Sequence, residues 1–179
     1  NAVSTATADA VSSATPLAIL KGLEGTEAQL PPLWTIILGN TKGCLGETSD
    51  LALLLGAAYL LWRRVINWRS PLSFIGTVGL LTWIRGPQGL FTGNAIYHIF
   101  SGGLILGAFY MATDYSSSPV TPKGQIIMGI GCGIITSIIR LYGGYPEGVT
   151  YSILLMNVAT PLIDRFTMPR IYGEVRADV

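Results

Sequence analysis

The amino-acid sequence predicts an all-α fold, a polytopic membrane helical bundle. Of its 179 residues, 50% are hydrophobic and only 12% are charged, and the mean hydropathy is +0.51. Soluble domains carry about 25% charged residues. This composition excludes a disordered chain and argues against an ordinary soluble enzyme. Long uncharged runs and 22 glycines point in the same direction, because small residues allow the close helix approach that membrane bundles require.

The charge balance argues against a nucleic-acid partner. The formal net charge is +1 and the isoelectric point is about 8.0. A nucleic-acid-binding domain normally carries a clear surplus of Lys and Arg clustered on one surface. We therefore expect a lipid bilayer, and no nucleic acid, around this chain.

Five uncharged runs predict five transmembrane helices. The uncharged runs are 51–62, 70–84, 86–113, 124–139 and 148–163, and the spans predicted from them cover residues 50–65, 71–84, 95–113, 124–141 and 148–163. About 20 helical residues cross a 30 Å hydrocarbon core, and flanking Trp, Tyr and Arg side chains extend the shorter runs by reaching the interface. Core helices of a soluble protein are the alternative, but five in succession with glycine in nearly every run favour a membrane domain. Such a bundle is typical of one half of an inverted-repeat, transporter-like fold.

Proline and its neighbours predict where some helices begin and bend. Ser70-Pro71 and Thr121-Pro122 are N-cap and first-turn patterns. Pro161 lies inside the fifth run and predicts a kink or an early end, because proline removes a backbone donor.

The distribution of cations predicts the orientation. In an alternating five-span topology, seven cations share one side: Arg63, Arg64, Arg69, Lys123, Arg165, Arg170 and Arg176. The other side holds Lys21, Lys42, Arg85 and Arg140. Cytoplasmic loops carry the excess of Lys and Arg. The sequence thus predicts three regions: an extracytoplasmic segment (1–49) with a short re-entrant or interfacial helix, a membrane domain (50–166) and a cytoplasmic tail (167–179).

The first 15 residues contain the strongest candidate for chemistry. By composition alone they read as a Ser/Thr/Ala linker. The stretch from Asp9 to Thr15, however, resembles the flavinylation signature Asp-x-x-Ser/Thr-Gly/Ser-Ala-Thr, in which a phosphoester joins the threonine hydroxyl to FMN. Thr15 matches the acceptor, and Pro16 disfavours a helix there. The small residues Ser12, Ser13 and Ala14 leave room for the flavin phosphate.

Further motifs resemble the C-terminal half of the D subunit of Rnf complexes. The matching stretches are 62–68 (WRRVINW), 107–114 (GAFYMATD), 118–124 (SPVTPKG), 142–148 (YGGYPEG) and 161–165 (PLIDR). The resemblance covers essentially the whole chain. The chain is also similar, more weakly, to the B subunit of the Na⁺-translocating NADH:quinone reductase. Ser13 departs from the glycine that is common in the flavinylation motif, but serine is also small.

The Rnf resemblance implies a membrane subunit of a ferredoxin:NAD⁺ oxidoreductase that couples electron flow to Na⁺ or H⁺ translocation. It implies FMN covalently bound to Thr15 on the extracytoplasmic side, together with a second, non-covalent flavin such as riboflavin. The implied partners are other Rnf subunits, especially the FMN-bearing G subunit and the membrane A and E subunits. This chain would pass electrons rather than form the complete catalyst.

Two turns on the predicted outer face are further candidates for flavin contacts. One contains Gly46, Glu47 and Thr48, and the other contains Tyr145, Pro146 and Glu147. Glycine-turn amides and hydroxyls suit a phosphate or a flavin edge, and tyrosine can stack on the ring; ordinary turn chemistry is the alternative.

Two ionisable residues are candidates for an ion path. His98 lies near the start of the third predicted span, and Asp114 follows its cytoplasmic end. Ionisable groups within membrane spans are functional candidates. His98 can also serve as a simple hydrogen-bonding group, and Asp114 can instead cap the Ser/Thr-rich loop that follows it. The sequence shows no HEXXH, Walker or Rossmann pattern, so it predicts neither a catalytic residue nor a metal site of those kinds.

Two other functions remain open from the residues alone. The chain could form half of a non-redox transporter or channel, because glycine-rich spans are typical of such folds. It could also have a purely structural role in a larger complex. A covalent flavin separates both alternatives from the redox hypothesis.

Overall fold

The computed structural model describes residues 17, 32–38, 49–86, 89–90, 95–145 and 147–169. Apart from one pair of two-residue strands, the regular structure within these residues is helical, which agrees with the predicted helical class. The helices are α1 (Leu33–Leu38), α2 (Asp50–Trp62), α3 (Arg69–Ile84), α4 (Ala95–Phe100), α5 (Leu104–Leu106), α6 (Pro122–Tyr142) and α7 (Val149–Thr167). A π-helical segment, Gly107–Met111, continues α5. Strands β1 (Arg85–Gly86) and β2 (Gly89–Leu90) pair antiparallel in a minimal hairpin after α3.

Each of the five predicted spans contains a helix, but their lengths differ from the prediction. Among the described residues, α6 is the one helix that is both long and apolar enough to cross a membrane alone. Helix α2 is apolar but has 13 residues. At 1.5 Å per residue it is about 20 Å long, which is shorter than a hydrocarbon core of about 30 Å. Five complete spans therefore remain a prediction.

The predicted helix starts are correct at one proline pair and shifted at the other. Thr121 caps α6 by accepting a hydrogen bond from the Gly124 N–H at 3.0 Å, and Pro122 occupies the first turn. Ser70, in contrast, is already inside α3. The helix begins earlier because the Leu72 N–H donates to the Trp68 carbonyl at 3.1 Å.

Pro161 does not end α7, which continues to Thr167. Tertiary contacts hold the helix on both sides of the proline. The hydroxyl of Thr160 donates to the carbonyl of Ser117 at 2.9 Å, and Ile163 is buried in the core one turn later. The early end that proline predicts is therefore wrong here, because packing of the last turns outweighs the lost backbone bond.

The third predicted span, 95–113, is broken rather than continuous. Helix α4 ends at Phe100 and α5 begins at Leu104. Between them Gly102 has a φ of +76°, a left-handed conformation that glycine adopts without the steric cost of a Cβ. The chain then passes into the π-helical segment, where the Ala112 N–H donates to the Gly107 carbonyl at 2.7 Å.

Small residues allow α3 and α6 to pack closely at the centre of the bundle. A Cβ on Gly129 would overlap the Ser73 side chain and stand 2.7 Å from the Ser70 carbonyl oxygen. One turn later, a Cβ on Gly133 would stand 2.5 Å from Thr77 Cβ. Glycines spaced by one turn are the pattern that lets membrane helices approach at the backbone.

Helix α7 packs on another face of α6. The hydroxyls of Thr136 and Ser152 are 2.7 Å apart, and a Cβ on Gly131 would stand 2.5 Å from the methyl carbon of Met156. Helix α2 is tied to the π-helical segment, because the hydroxyl of Tyr110 donates to the Leu53 carbonyl at 2.9 Å.

Candidate functional site

A buried arginine binds backbone carbonyls on one side of the break in the third predicted span. Arg140, in the last turn of α6, is 3% exposed. Its Nη1 donates to the carbonyl of His98, and its Nη2 donates to the carbonyl of Ser101 at 3.3 Å. These carbonyls lie at the C-terminal end of α4, where backbone oxygens have no partner within the helix. A cation is favourable there because the helix dipole places partial negative charge at that end.

A carboxylate binds a backbone N–H group on the other side of the same break. Glu147, just before α7, accepts a hydrogen bond from the Gly103 N–H through Oε1. Gly103 is the N-cap of α5, so the negative charge lies at the end of a helix where backbone N–H groups are exposed. The chain thus places one charge of each sign against the two backbone ends that the break creates.

Leu17 joins this cluster from the N-terminal part of the chain. It is 3% exposed, and a Cβ on Gly102 would stand 3.4 Å from Leu17 Cδ2 and 2.6 Å from Glu147 Oε1. The position of the Glu147 carboxylate therefore depends on the missing Cβ at Gly102, while Leu17 packs at ordinary contact distance. We call His98, Ser101, Gly102, Gly103, Arg140, Glu147 and Leu17 the outer cluster, because the predicted orientation places all of them toward the extracytoplasmic side.

Two buried polar atoms of the outer cluster have no hydrogen-bond partner among the described residues. They are His98 Nδ1 and Ser101 Oγ. Buried polar groups are nearly always hydrogen-bonded, so these two atoms are candidates for hydrogen bonds to a further group. Two residues before Glu147, the Tyr145 ring lies 6.0 Å from that of Tyr151 and is 65% exposed.

The structure brings only some of the predicted site residues together. Glu147 and His98 both belong to the outer cluster, and Tyr145 lies beside it. Asp114 lies beyond the opposite end of the π-helical segment, where it is exposed and accepts from the Ser117 hydroxyl at 3.3 Å. The remaining candidates lie outside the described residues: Ser12, Ser13, Ala14, Thr15, Gly46, Glu47, Thr48 and Pro146.

The charged side chain of Arg140 donates its hydrogen bond to the backbone carbonyl of His98 rather than to its imidazole ring. A pocket of about 210 Å³ lies nearer to Asp114, between the starts of α3 and α6, and is lined by Ser70, Thr113, Ser118 and Gln125 among others. A single ion path joining His98 and Asp114 thus stays a prediction.

Sequence reasoning missed Arg140 and Gly102 as members of this site. In the sequence, Arg140 is only one of the few cations on the outer side. The available signal was the uncharged run 86–113, which is longer than a single span needs and contains the pair Gly102-Gly103. A glycine pair inside an overlong apolar run is a sign of a discontinuous helix.

Gly102→Ala is expected to destabilise the outer cluster. Alanine at a φ of +76° costs about 1–2 kcal/mol, and its Cβ would displace the carboxylate that holds Gly103. A fall in the Tm of the purified protein measures this loss. The control is Gly144→Ala, because a Cβ there meets no atom within 4 Å. Equal Tm values for the two variants would contradict the assignment of Gly102 as the strained position.

Comparison with known proteins shows the family to which the chain belongs. A sequence model of the NQR2, RnfD, RnfE family matches residues 2–173. The D subunit of the proton-translocating ferredoxin:NAD(+) oxidoreductase complex of Clostridium ljungdahlii is 52% identical over 94% of this chain. The D subunit of the Na(+)-translocating ferredoxin:NAD(+) oxidoreductase complex of Acetobacterium woodii is 54% identical over the same share.

A third relative is more distant but has the same subunit name. The D subunit of the ion-translocating oxidoreductase complex of Stutzerimonas stutzeri is 44% identical over 85% of the chain. The chain covers 53%, 51% and 42% of the lengths of these three relatives. It therefore spans about half the length of the relatives that it matches.

Proposed function

Because this chain belongs to the NQR2, RnfD, RnfE family, we propose that it is the flavin-carrying part of the D subunit of an ion-translocating ferredoxin:NAD⁺ oxidoreductase complex. The observation that carries the proposal is the match of nearly the whole chain to the D subunits of two such complexes at more than 50% identity. The resemblance of the 62–68, 107–114 and 142–148 motifs to the Rnf family supports the same assignment.

The distribution of side chains supports a membrane location. Helix α6 exposes large apolar residues on one face: Ile126, Ile127, Ile130, Ile134 and Ile138. Its buried face includes Thr136, Ser137 and Arg140. An exposed apolar surface of this extent with a polar interior suits contact with lipid rather than with water. The proposed topology has the C-terminus in the cytoplasm and the Thr15 segment outside the cytoplasmic membrane.

FMN attached to Thr15 by a phosphoester is the proposed cofactor. The outer cluster fits a group that is tethered nearby, because Leu17 is buried against Gly102. Consecutive Cα atoms are 3.8 Å apart, so a residue two positions before Leu17 is held within about 8 Å of it. The unpartnered atoms His98 Nδ1 and Ser101 Oγ offer hydrogen bonds to the polar edge of such a group. Riboflavin is the proposed second flavin of the subunit.

Each part of the chain has a separate role in this proposal. The flavin, when bound, supplies the transfer of electrons. The hydroxyl oxygen of Thr15 provides the attachment point, and the buried side chain of Leu17 anchors the segment that bears it. Arg140 and Glu147 hold the broken helix beneath that anchor, and the exposed ring of Tyr145 offers a surface for stacking.

Other Rnf subunits are the proposed partners. Electrons would pass between the FMN of the G subunit and the flavin of this chain, with the A and E subunits beside it in the membrane. The two relatives with more than 50% identity are named for H⁺ and for Na⁺ respectively, so the proposed coupling ion is one of these two.

The mass of the peptide that contains Thr15 tests the proposal. We expect a mass increase equal to FMN less one water on that peptide, with the fragment ions placing it on Thr15. The protein should also give a fluorescent band when a denaturing gel is illuminated. An unmodified peptide from cells that flavinylate another Rnf subunit would contradict the proposed cofactor.

The break between α4 and α5 favours a second candidate function, namely half of a non-redox transporter. Discontinuous helices with charged groups at their ends are common in secondary transporters. A redox pump can use the same scaffold, so the break alone does not separate the two. Substrate uptake by proteoliposomes that hold the unflavinylated protein would favour the transporter.

A further inference from the structure

The carbonyl oxygens of His98 and Ser101, at the end of α4, are ligands of the kind that bind small cations. A break inside a membrane helix frees backbone oxygens that have no intrahelical partner. In transporters with discontinuous helices, such oxygens at the C-terminal end of a half-helix coordinate Na⁺. Here the corresponding oxygens belong to His98 and Ser101, and both accept hydrogen bonds from Arg140.

Arg140 is held at these oxygens by the fold. It belongs to the last turn of the 21-residue helix α6, which packs against both α3 and α7, and its side chain is buried. A guanidinium keeps its positive charge in proteins under all physiological conditions. The negative charge of Glu147 lies on the other side of Gly102, at Gly103, so the two charges together satisfy both ends of the break.

We propose that the break in the third span is a carbonyl site for a monovalent cation, which Arg140 occupies permanently with its guanidinium and thereby closes to Na⁺. A fixed positive charge at such a point raises an electrostatic barrier to cations that enter from the outer side. The ion that the complex moves would therefore not pass between His98 and Ser101. This inference does not depend on the flavin, but it rests on the proposed function in taking the chain as part of an ion-translocating complex.

Neutral and charged replacements of Arg140 test the proposal. Arg140→Met removes the charge and both donors, and Arg140→Lys keeps a positive charge as the matched control. The complex is purified in detergent, and the Tm of each form is measured in NaCl and in choline chloride at equal ionic strength. We expect Arg140→Met to have a Tm about 3 °C or more higher in NaCl than in choline chloride, because Na⁺ binds the folded state. The wild type and Arg140→Lys should show a smaller difference or none.

Passive ion flux gives a second readout. In proteoliposomes without ferredoxin or NADH, radioactive Na⁺ uptake through Arg140→Met is expected to exceed that of the wild type and of Arg140→Lys by about tenfold. A folded Arg140→Met protein without a Na⁺-dependent Tm would overturn the proposal. So would a wild type whose Tm depends on Na⁺ as strongly as that of the variant.

Poor assembly of Arg140→Met is also informative. Arg140→Gln retains one amide donor for the carbonyls and serves as a milder neutral variant. Both neutral variants are purified in NaCl and in choline chloride. The proposal expects NaCl to raise the yield of assembled complex, and an equally low yield in both salts would overturn it.

Discussion

Replacing Thr15 by valine is expected to abolish the covalent flavin of this chain completely. Valine has nearly the same shape as threonine but lacks the hydroxyl oxygen that the phosphoester requires. The substitution should therefore leave the buried Leu17 in place, while the fluorescent band of this chain disappears from a denaturing gel. Because the proposed function sends electrons through this flavin, electron transfer from ferredoxin to NAD⁺ by the complex should fall to background.

Thr7→Val is the matched control, because Thr7 lies in the same Ala/Ser/Thr-rich segment but outside the Asp9–Thr15 motif. It should leave the fluorescent band and the electron transfer unchanged. A fluorescent band that persists in Thr15→Val would exclude Thr15 as the attachment point. Loss of the band with unchanged electron transfer would instead support a purely structural role for this chain.

Gly129→Leu is expected to separate α3 from α6 and to prevent stable folding. A Cβ on Gly129 would already overlap the Ser73 side chain and stand 3.1 Å from the backbone nitrogen of Phe74. Because part of the obstacle is backbone, rotamer changes cannot remove it. Overpacking of this kind costs about 3 kcal/mol or more. The expected result is a strongly reduced yield of monodisperse protein and a lowered Tm in whatever fraction remains.

Gly76→Leu tests whether this effect depends on the helix contact. Gly76 also lies inside a predicted span, in α3, but a Cβ there meets no atom within 4 Å. Its replacement should leave the yield and the Tm unchanged or slightly raised, because glycine lowers helix stability by about 1 kcal/mol. If both leucine variants lose the same stability, the close contact between α3 and α6 does not explain the loss.

Hydrophobic patterning predicted the position of the helices better than their continuity. The predicted spans 50–65, 71–84, 124–141 and 148–163 each contain one helix. Periodicity could not reveal that α7 continues through Pro161, because contacts from Thr160 and Ile163 to the rest of the bundle compensate for the missing donor. It also could not place the break at Gly102, since a run of apolar residues reads as a helix whether or not one glycine adopts a positive φ.

The candidate site also has one part that the sequence predicts and another that only the tertiary structure shows. The motif that ends at Thr15 is a local pattern, so it is visible in the sequence. The outer cluster joins residues that are far apart along the chain, including Leu17, Gly102, Arg140 and Glu147. No local pattern links an arginine at the end of one helix to carbonyls in another. The sequence predicts Glu147 as a flavin contact, and the structure shows it bound to the Gly103 amide.

Composition and short contiguous motifs are enough to specify the helical class, the family and the threonine proposed to carry the flavin. The role of the few outer charges, in contrast, depends on how the helices pack. In the sequence, Arg140 is only one of the few cations on the predicted extracytoplasmic side. In the folded chain it is buried against the broken span, because backbone oxygens freed at Gly102 need a donor that only a neighbouring helix can bring.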